Sequence, residues 1–232
     1  MRGCLSVLVI AALFVVAGAW FGGPPVAEAL VTSGLSASGL RSGDLDVTVE
    51  AAPPLTLALG RADRVLVDAT DVDWNGLHAE RLDLTLDDVD FLGRTAGQAQ
   101  GLLSGVELNV EPPGSKATIE IDGPGDSATA TITIDGRTAS AMAVEAFEEE
   151  LGVRPDSVSL RDPNVVRAQA GPVEVAGALT IGPGGSLDVS TSLGTVTIVP
   201  ADPSHPFELT SVAVEDGSLV LTGTLDVGEL LR

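Results

Sequence analysis

Between Arg81 and Asp87 (RLDLTLD) every second residue is a leucine, so Leu82, Leu84 and Leu86 point one way while Arg81, Asp83, Thr85 and Asp87 point the other. Successive side chains of an extended chain face opposite sides, so this run buries one face and wets the other only as a β-strand. Similar alternation or β-branched enrichment recurs at Asp44 to Glu50, Arg64 to Thr70, Val106 to Glu111, Lys116 to Ile121 and Ala128 to Ile134. It continues at Gly171 to Ile181, Ser186 to Ser190, Thr195 to Val199, Glu208 to Val214 and Ser218 to Val227. Ten or more short strands divided by turn residues specify antiparallel sheet in place of βαβ units.

Helical patterning is sparse. Ala139 to Leu151 places Ala143, Val144, Phe147 and Leu151 on one face and Glu145, Glu148 and Glu149 on the other, with Gly152 as a C-terminal cap. Glu148, Glu149 and Glu150 sit at the negative end of that helix's dipole, so packing has to hold it. A second helix is expected over Val26 to Leu35 and a third, short one over Thr95 to Leu103. No long polar linker interrupts the chain, so residues 26–232 are expected to form a single β-rich domain after an N-terminal segment, 1–25.

That segment holds an uncharged run of 18 residues, Cys4 to Phe21, roughly 27 Å long as a helix and near the lower limit for spanning a bilayer. Arg2 precedes it and Glu28 is the first charge after it, an asymmetry that places the remainder outside the cytoplasm. Ala17-Gly18-Ala19 and Ala27-Glu28-Ala29 both have the small-residue form of a cleavage site, so the segment is either an uncleaved anchor, the preferred reading, or a removed signal peptide. Cys4 precedes the apolar run, the wrong side for a lipid-bearing cysteine, and reads as a small apolar residue. The exported part has no cysteine and cannot use disulfides.

Composition excludes more than it assigns. Twelve basic residues, of which only Lys116 is a lysine, stand against 33 acidic ones for a net charge of −21, so a cationic stripe for nucleic acid cannot be assembled. Aromatic residues are 3% with no tyrosine, which disfavours base-stacking platforms and aromatic sugar clefts. Two histidines and Cys4 leave little material for zinc or haem, and no cofactor is expected.

Asp71-Val72-Asp73-Trp74-Asn75-Gly76 matches the opening of a calcium loop, with Asp71, Asp73 and Asn75 as alternate oxygen ligands. The twelfth position, where a bidentate glutamate closes such a shell, is Leu82, and the flanks are strands. Asn75-Gly76 between alternating runs is equally the signature of a type I′ hairpin, the preferred reading. Gly182-Pro183-Gly184-Gly185-Ser186 lacks the Gly-Lys-Ser/Thr of a phosphate loop and reads as a turn. His205 stands between Ser204 and Pro206 with no Gly-x-Ser-x-Gly elbow to serve, and His78 falls on a solvated face. Asp87-Asp88 and Asp122/Asp126 are carboxylate pairs of a kind that an acidic chain produces without function. No enzyme is expected.

An exported sheet rich in aliphatic positions and poor in reactive groups either shelters acyl chains, each buried CH₂ contributing about 0.8 kcal/mol, or packs a dry core. An apolar N-terminal helix, then Gly60-Arg61-Ala62-Asp63-Arg64-Val65-Leu66-Val67, then Asn75-Gly76-Leu77-His78-Ala79-Glu80-Arg81-Leu82-Asp83-Leu84, resembles the LmeA-like phospholipid-binding family of actinobacterial cell-envelope proteins. Pro206-Phe207-Glu208-Leu209-Thr210-Ser211-Val212 followed by Gly217-Ser218-Leu219-Val220-Leu221-Thr222-Gly223 is similar to that family's closing hairpin. The resemblance implies a lipid-binding protein on the outer side of the plasma membrane, with no catalytic residues to carry over. It also implies an α+β, mostly β fold: a long curved antiparallel sheet against one or two helices, similar to tubular lipid-binding domains.

On that reading the expected lining of an apolar groove is Leu82, Leu84 and Leu86 on one strand, with Val144, Phe147 and Leu151 on a facing helix. A groove above about 500 Å³ with aliphatic walls has lipid-holding size. Arg61, Arg64 and Arg81 are the candidates for an anionic headgroup. If they are dispersed, a neutral lipid fits better. The partners expected are a phospholipid or other envelope lipid and the plasma membrane, reached through the N-terminal helix. The alternative is a structural or protein-interaction domain filled by its own side chains.

Overall fold

A computed structural model of the chain describes residues 25–26, 28–29, 31–33, 35–36, 39–53, 55–74, 77–108, 113–201 and 207–225. The apolar N-terminal segment, Asn75-Gly76 and His205 lie outside the described residues. Among the described residues no helix is long and apolar enough to cross a membrane.

Residues 25–26, 28–29, 31–33 and 35–36 are helical (α1), in keeping with the helix expected there. There follow β1 (Leu40–Arg41), β2 (Asp44–Glu50), α2 (Leu55–Ala58), β3 (Arg61–Trp74), β4 (Leu77–Asp90), β5 (Gln98–Glu107), β6 (Lys116–Pro124) and β7 (Ala128–Ile134). Then come α3 (Gly136–Leu151), β8 (Ser157–Arg161), β9 (Val165–Ala170), β10 (Val173–Ile181), a 3₁₀ turn at Pro183–Gly185, β11 (Leu187–Thr191), β12 (Gly194–Val199), β13 (Phe207–Glu215) and β14 (Ser218–Leu225).

The fold is mostly β and antiparallel, as expected, but its strands form two open sheets in place of one. Nine strands run in the order β1-β3-β4-β5-β6-β7-β14-β13, with β2 also on β3, and five run β12-β11-β10-β9-β8. The chain leaves the large sheet after β7, builds α3 and the small sheet, and returns as the β13–β14 hairpin, β14 pairing antiparallel with β7. Helix α3 packs against β8, β12 and β14, so its apolar side is buried where the two sheets meet.

Period-two patterning locates β4, yet the strand runs to 14 residues, as does β3, roughly 46 Å each. Their core-facing pairs are Ala62↔Val89, Val65↔Leu86, Val67↔Leu84, Ala69↔Leu82, Val72↔Ala79 and Trp74↔Leu77. The inward phase slips twice, where Asp71 and Asp88 adopt positive φ of 50° and 52°. Both strands slip together, so the register is kept and one apolar face is continuous. Trp74 opposite Leu77 leaves two residues for the connection, the register of the expected hairpin. The C-terminal hairpin turns at Asp216-Gly217, φ 50° and 78°, as a type I′ turn requires.

Two expectations are corrected. Thr95 to Leu103 is not helical: β5 occupies Gln98–Glu107, and the strand expected from Val106 starts there. Ala96, Ala99 and Leu103 are buried at helix-like spacing, but the strand's inward position between the last two is Gly101, which carries no hydrophobic signal. β8 and β9 lie outside the expected strands; Pro155, Asp156, Asp162 and Pro163 bracket β8 with turn residues.

Helix α3 begins three residues before Ala139. Asp135 caps it, its carboxylate accepting from the Arg137 and Thr138 N–H groups at 2.9 and 3.1 Å and from the Thr138 hydroxyl at 2.6 Å. Gly152 ends it at φ 66°, donating to the Glu148 carbonyl, and Arg154 pairs with Glu148 at 3.0 Å. The Thr138 hydroxyl, then the N–H groups of Thr138 and Arg137, hold the Asp135 carboxyl below its ordinary value. A depressed folded-state pKa gives stability that is present above the unfolded value and lost as pH falls through the folded one. Asp135→Ala is therefore expected to cost about 1 kcal/mol at neutral pH, and the gap from wild type should close on acidification. Asp135→Asn, which still accepts, should retain most of the stability with little pH dependence. Urea unfolding across pH checks this; a gap that is constant with pH contradicts it.

Candidate functional site

The largest chemical feature of the fold is the inward face of the nine-stranded sheet. Strand register aligns it in rows. One row is Val67, Leu84, Gly101, Ile121, Ala130, Gly223 and Leu209, and its neighbour is Ala69, Leu82, Leu103, Ile119, Ile132, Leu221 and Val212. Seven strands thus contribute fourteen residues without one polar side chain. The rows differ in side-chain size: Gly101, Ala130 and Gly223 of the first are small, and the Phe207 ring lies over Gly223. Leu84 lies over Gly101, where a Cβ would meet its Cδ1 at 3.1 Å.

Leu82 and Leu86 are buried and Leu84 is half-buried against the same core. Val31 and Leu35 of α1 pack against that core as well. On α3, Phe147 is buried while Val144 and Leu151 are half-buried. The leucine stripe and α3 do not form two facing walls. The helix packs on β8 and β12 of the small sheet and reaches the large sheet at β14, four strands from β4 in the sheet order, roughly 19 Å along the sheet.

The three arginines lie on or beside the opposite, solvated face, and they are dispersed. Arg64 on β3 faces Asp87, whereas Arg81 on β4 faces Thr70, six residues farther along β3, or roughly 20 Å. Each is engaged by carboxylate: Arg61 with Asp90 at 3.4 Å, Arg64 with Asp87 at 2.7 Å, and Arg81 with Asp83 at 2.9 Å and with Asp68. Hydrogen bonding to Asp87 raises the Arg64 pKa, and hydrogen bonding to Asp83 raises that of Arg81 and lowers that of Asp83. These pairs leave no shared cationic pocket for a phosphate.

A pocket of about 200 Å³ opens on this outer face, lined by Asp46, Thr48, Leu66, Asp68, Asp83 and Thr85 together with Val67 and Leu84, the last an expected lining residue. Asp46, Asp68 and Asp83 stand in one row across β2, β3 and β4. Its walls mix aspartates and threonines with Leu66, Val67 and Leu84, and of the expected lining residues only Leu84 borders it, so it is not the aliphatic groove expected. Among the described residues no three His, Cys, Asp or Glu side chains converge as a metal site. Asp71 and Asp73 lie within β3, and the His78 Nδ1 stands 3.5 Å from Asp73 on the exposed surface. The glycine-rich stretch is the turn expected.

Sequence reasoning passed over Asp188. It is 9% exposed on β11, accepts from the Ser186 hydroxyl at 3.1 Å through one oxygen, and its Oδ1 has no hydrogen-bond partner among the described residues. Nothing in LDVST distinguishes it from a surface strand aspartate. It lies in the small sheet, apart from the aliphatic face.

The described architecture is therefore an acidic exterior around a broad aliphatic interior, with cations spread along the outside. No curated protein and no solved structure matches the chain. The sequence profile described as LmeA-like phospholipid-binding matches residues 18–224, most of the chain, and the protein belongs to that family.

Proposed function

We propose that this protein acts outside the cytoplasm, at the plasma membrane, and holds or transfers an envelope lipid by taking its acyl chains onto the inward face of the nine-stranded sheet. Family membership supports lipid as the ligand. The observation that carries the finer reading is the pair of uninterrupted aliphatic rows from β3 to β13. The driving force is removal of methylenes from water, and no bond is made or broken. Leu82 and Leu86 are covered by the protein's own atoms, so an acyl chain reaches this face only when a covering element moves. Helix α1, resting on the core through Val31 and Leu35, is well placed to do so. With Arg61, Arg64 and Arg81 dispersed and paired, headgroup charge contributes little to selection. A zwitterionic or neutral lipid fits as well as an anionic one.

Native mass spectrometry of the full chain, delipidated and then incubated with phosphatidylcholine or phosphatidylglycerol vesicles, tests this. Uptake of lipid from both, unchanged by Arg64→Ala or Arg81→Ala, is the expected result. Absence of both co-purifying lipid and uptake overturns the reading. It would leave the alternative that the burial of these leucines favours, a structural or interaction domain with a solid interior.

A further inference from the structure

The tripeptide Leu-Gly-Arg occurs at residues 59–61 and again at 92–94, and the β3–β4 register brings the two copies together at one end of the large sheet. Arg61 pairs across the strands with Asp90, and the Phe91 N–H donates to the Gly60 carbonyl at 2.8 Å. Gly60, at φ 75°, lies directly beneath the Leu92 side chain. The result is a projecting apolar tip: Leu92 is 81% exposed and Leu59 69%, while Leu55, one helical turn before Leu59, is 43% exposed.

This tip is built and held. The Asp90 carboxylate accepts from the Leu92 and Gly93 N–H groups at 3.0 and 2.8 Å, and Asp90 and Thr95 exchange both backbone hydrogen bonds. Those bonds, Gly93 first, hold the Asp90 carboxyl below its ordinary value. The other large apolar residues that are exposed, such as Val153, Val173 and Leu193, lie on separate elements, as scattered surface residues do. In each copy an arginine follows the leucine by two residues. Arg61 has a side chain 71% exposed despite Asp90, and Arg94 makes no ion pair among the described residues.

We propose that the paired Leu-Gly-Arg tips form a docking surface for a phospholipid bilayer, the leucines entering the acyl boundary and Arg61 and Arg94 meeting lipid phosphates. Aliphatic tips with guanidinium groups beside them match the change from hydrocarbon to headgroup across a membrane interface. The surface rests on the lipid-binding reading above and gives it a direction. The end of the sheet bearing Leu92 faces the membrane, and lipid passes at that end.

The test uses the full chain with Cys4→Ser, which removes its lone cysteine, and a new cysteine at Leu92→Cys or, as control, Leu193→Cys. Each is labelled with an environment-sensitive fluorophore and mixed with phosphatidylcholine vesicles carrying brominated acyl chains. Blue-shifted, bromine-quenched emission at 92 and unchanged emission at 193 is expected. Emission at 92 that ignores the vesicles, or equal quenching at both positions, overturns the docking surface. Lipid retention by the same labelled proteins in native mass spectrometry reports separately on the underlying reading. Retained lipid with a silent position 92 removes the surface alone; quenching at 92 without retained lipid supports the surface and removes the reading. In the unlabelled chain, Leu59→Ser with Leu92→Ser is expected to slow lipid uptake from vesicles by about a hundredfold, and an unchanged rate counts against the proposal.

Discussion

Replacing Leu219 by alanine is expected to lower the free energy of unfolding by about 3–5 kcal/mol. Leu219 is 1% exposed and lies on β14 between Ile134 of β7 and Val214 of β13, both themselves buried. The cavity left by three lost carbons cannot close readily. Backbone ladders on both sides hold the strands about 4.8 Å apart, and α3 covers part of β14. This position joins the returning hairpin to the meander, so its loss should be felt by the whole sheet. Urea unfolding measures it. A loss below about 1.5 kcal/mol would show that the sheet relaxes around the site. Leu193→Ala in the β11–β12 turn, at a residue 66% exposed, should stay within about 0.5 kcal/mol of wild type.

Gly223→Ala is expected to destabilise by about 2 kcal/mol, against the usual sign. Replacing glycine by alanine at an unstrained position ordinarily gains about 0.4–1 kcal/mol by restricting the unfolded chain. Here a Cβ on β14 would collide with the Glu208 carbonyl oxygen and stand 2.5 Å from Cε2 of Phe207. Overpacking of this kind costs about 1–3 kcal/mol, occasionally more. The clash dominates because the carbonyl belongs to paired backbone that cannot swing aside, whereas the ring has some freedom. Adding Phe207→Leu should therefore rescue Gly223→Ala only in part, and a double-mutant cycle isolates that share. Stabilisation by Gly223→Ala, or full rescue by Phe207→Leu, would show that the carbonyl is not the obstacle.

The pattern of residues 81–87 was enough to assign β4 and the inward side of Leu82, Leu84 and Leu86. The strands at 44–50 and 128–134 were likewise legible to the residue, since uninterrupted alternation leaves no ambiguity of phase. What period-two reading missed was where phase changes or a side chain is absent. The slips at Asp71 and Asp88 hide Val72 and Val89 from the pattern, and Gly101 hides the strand character of β5. The arginines show the other limit. Arg61, Arg64 and Arg81 appear clustered because they are close in sequence, but neighbours along β3 and β4 are separated by the length of an extended chain. The carboxylate that each meets is set by cross-strand register. Leu59 and Leu92, 33 residues apart in the numbering, are neighbours for the same reason.

The order of residues alone dictated an antiparallel β protein with an apolar side and an acidic side, because alternation, turn chemistry and helix caps act within a few residues. Tertiary structure alone decided that the strands divide into two sheets, that β14 closes against β7, and that α3 seats on β8 and β12 beside β14. It also decided that the arginines disperse while two leucine tips converge. Those outcomes depend on which surfaces bury one another across long stretches of chain, and such pairings are selected by the packing of the whole core.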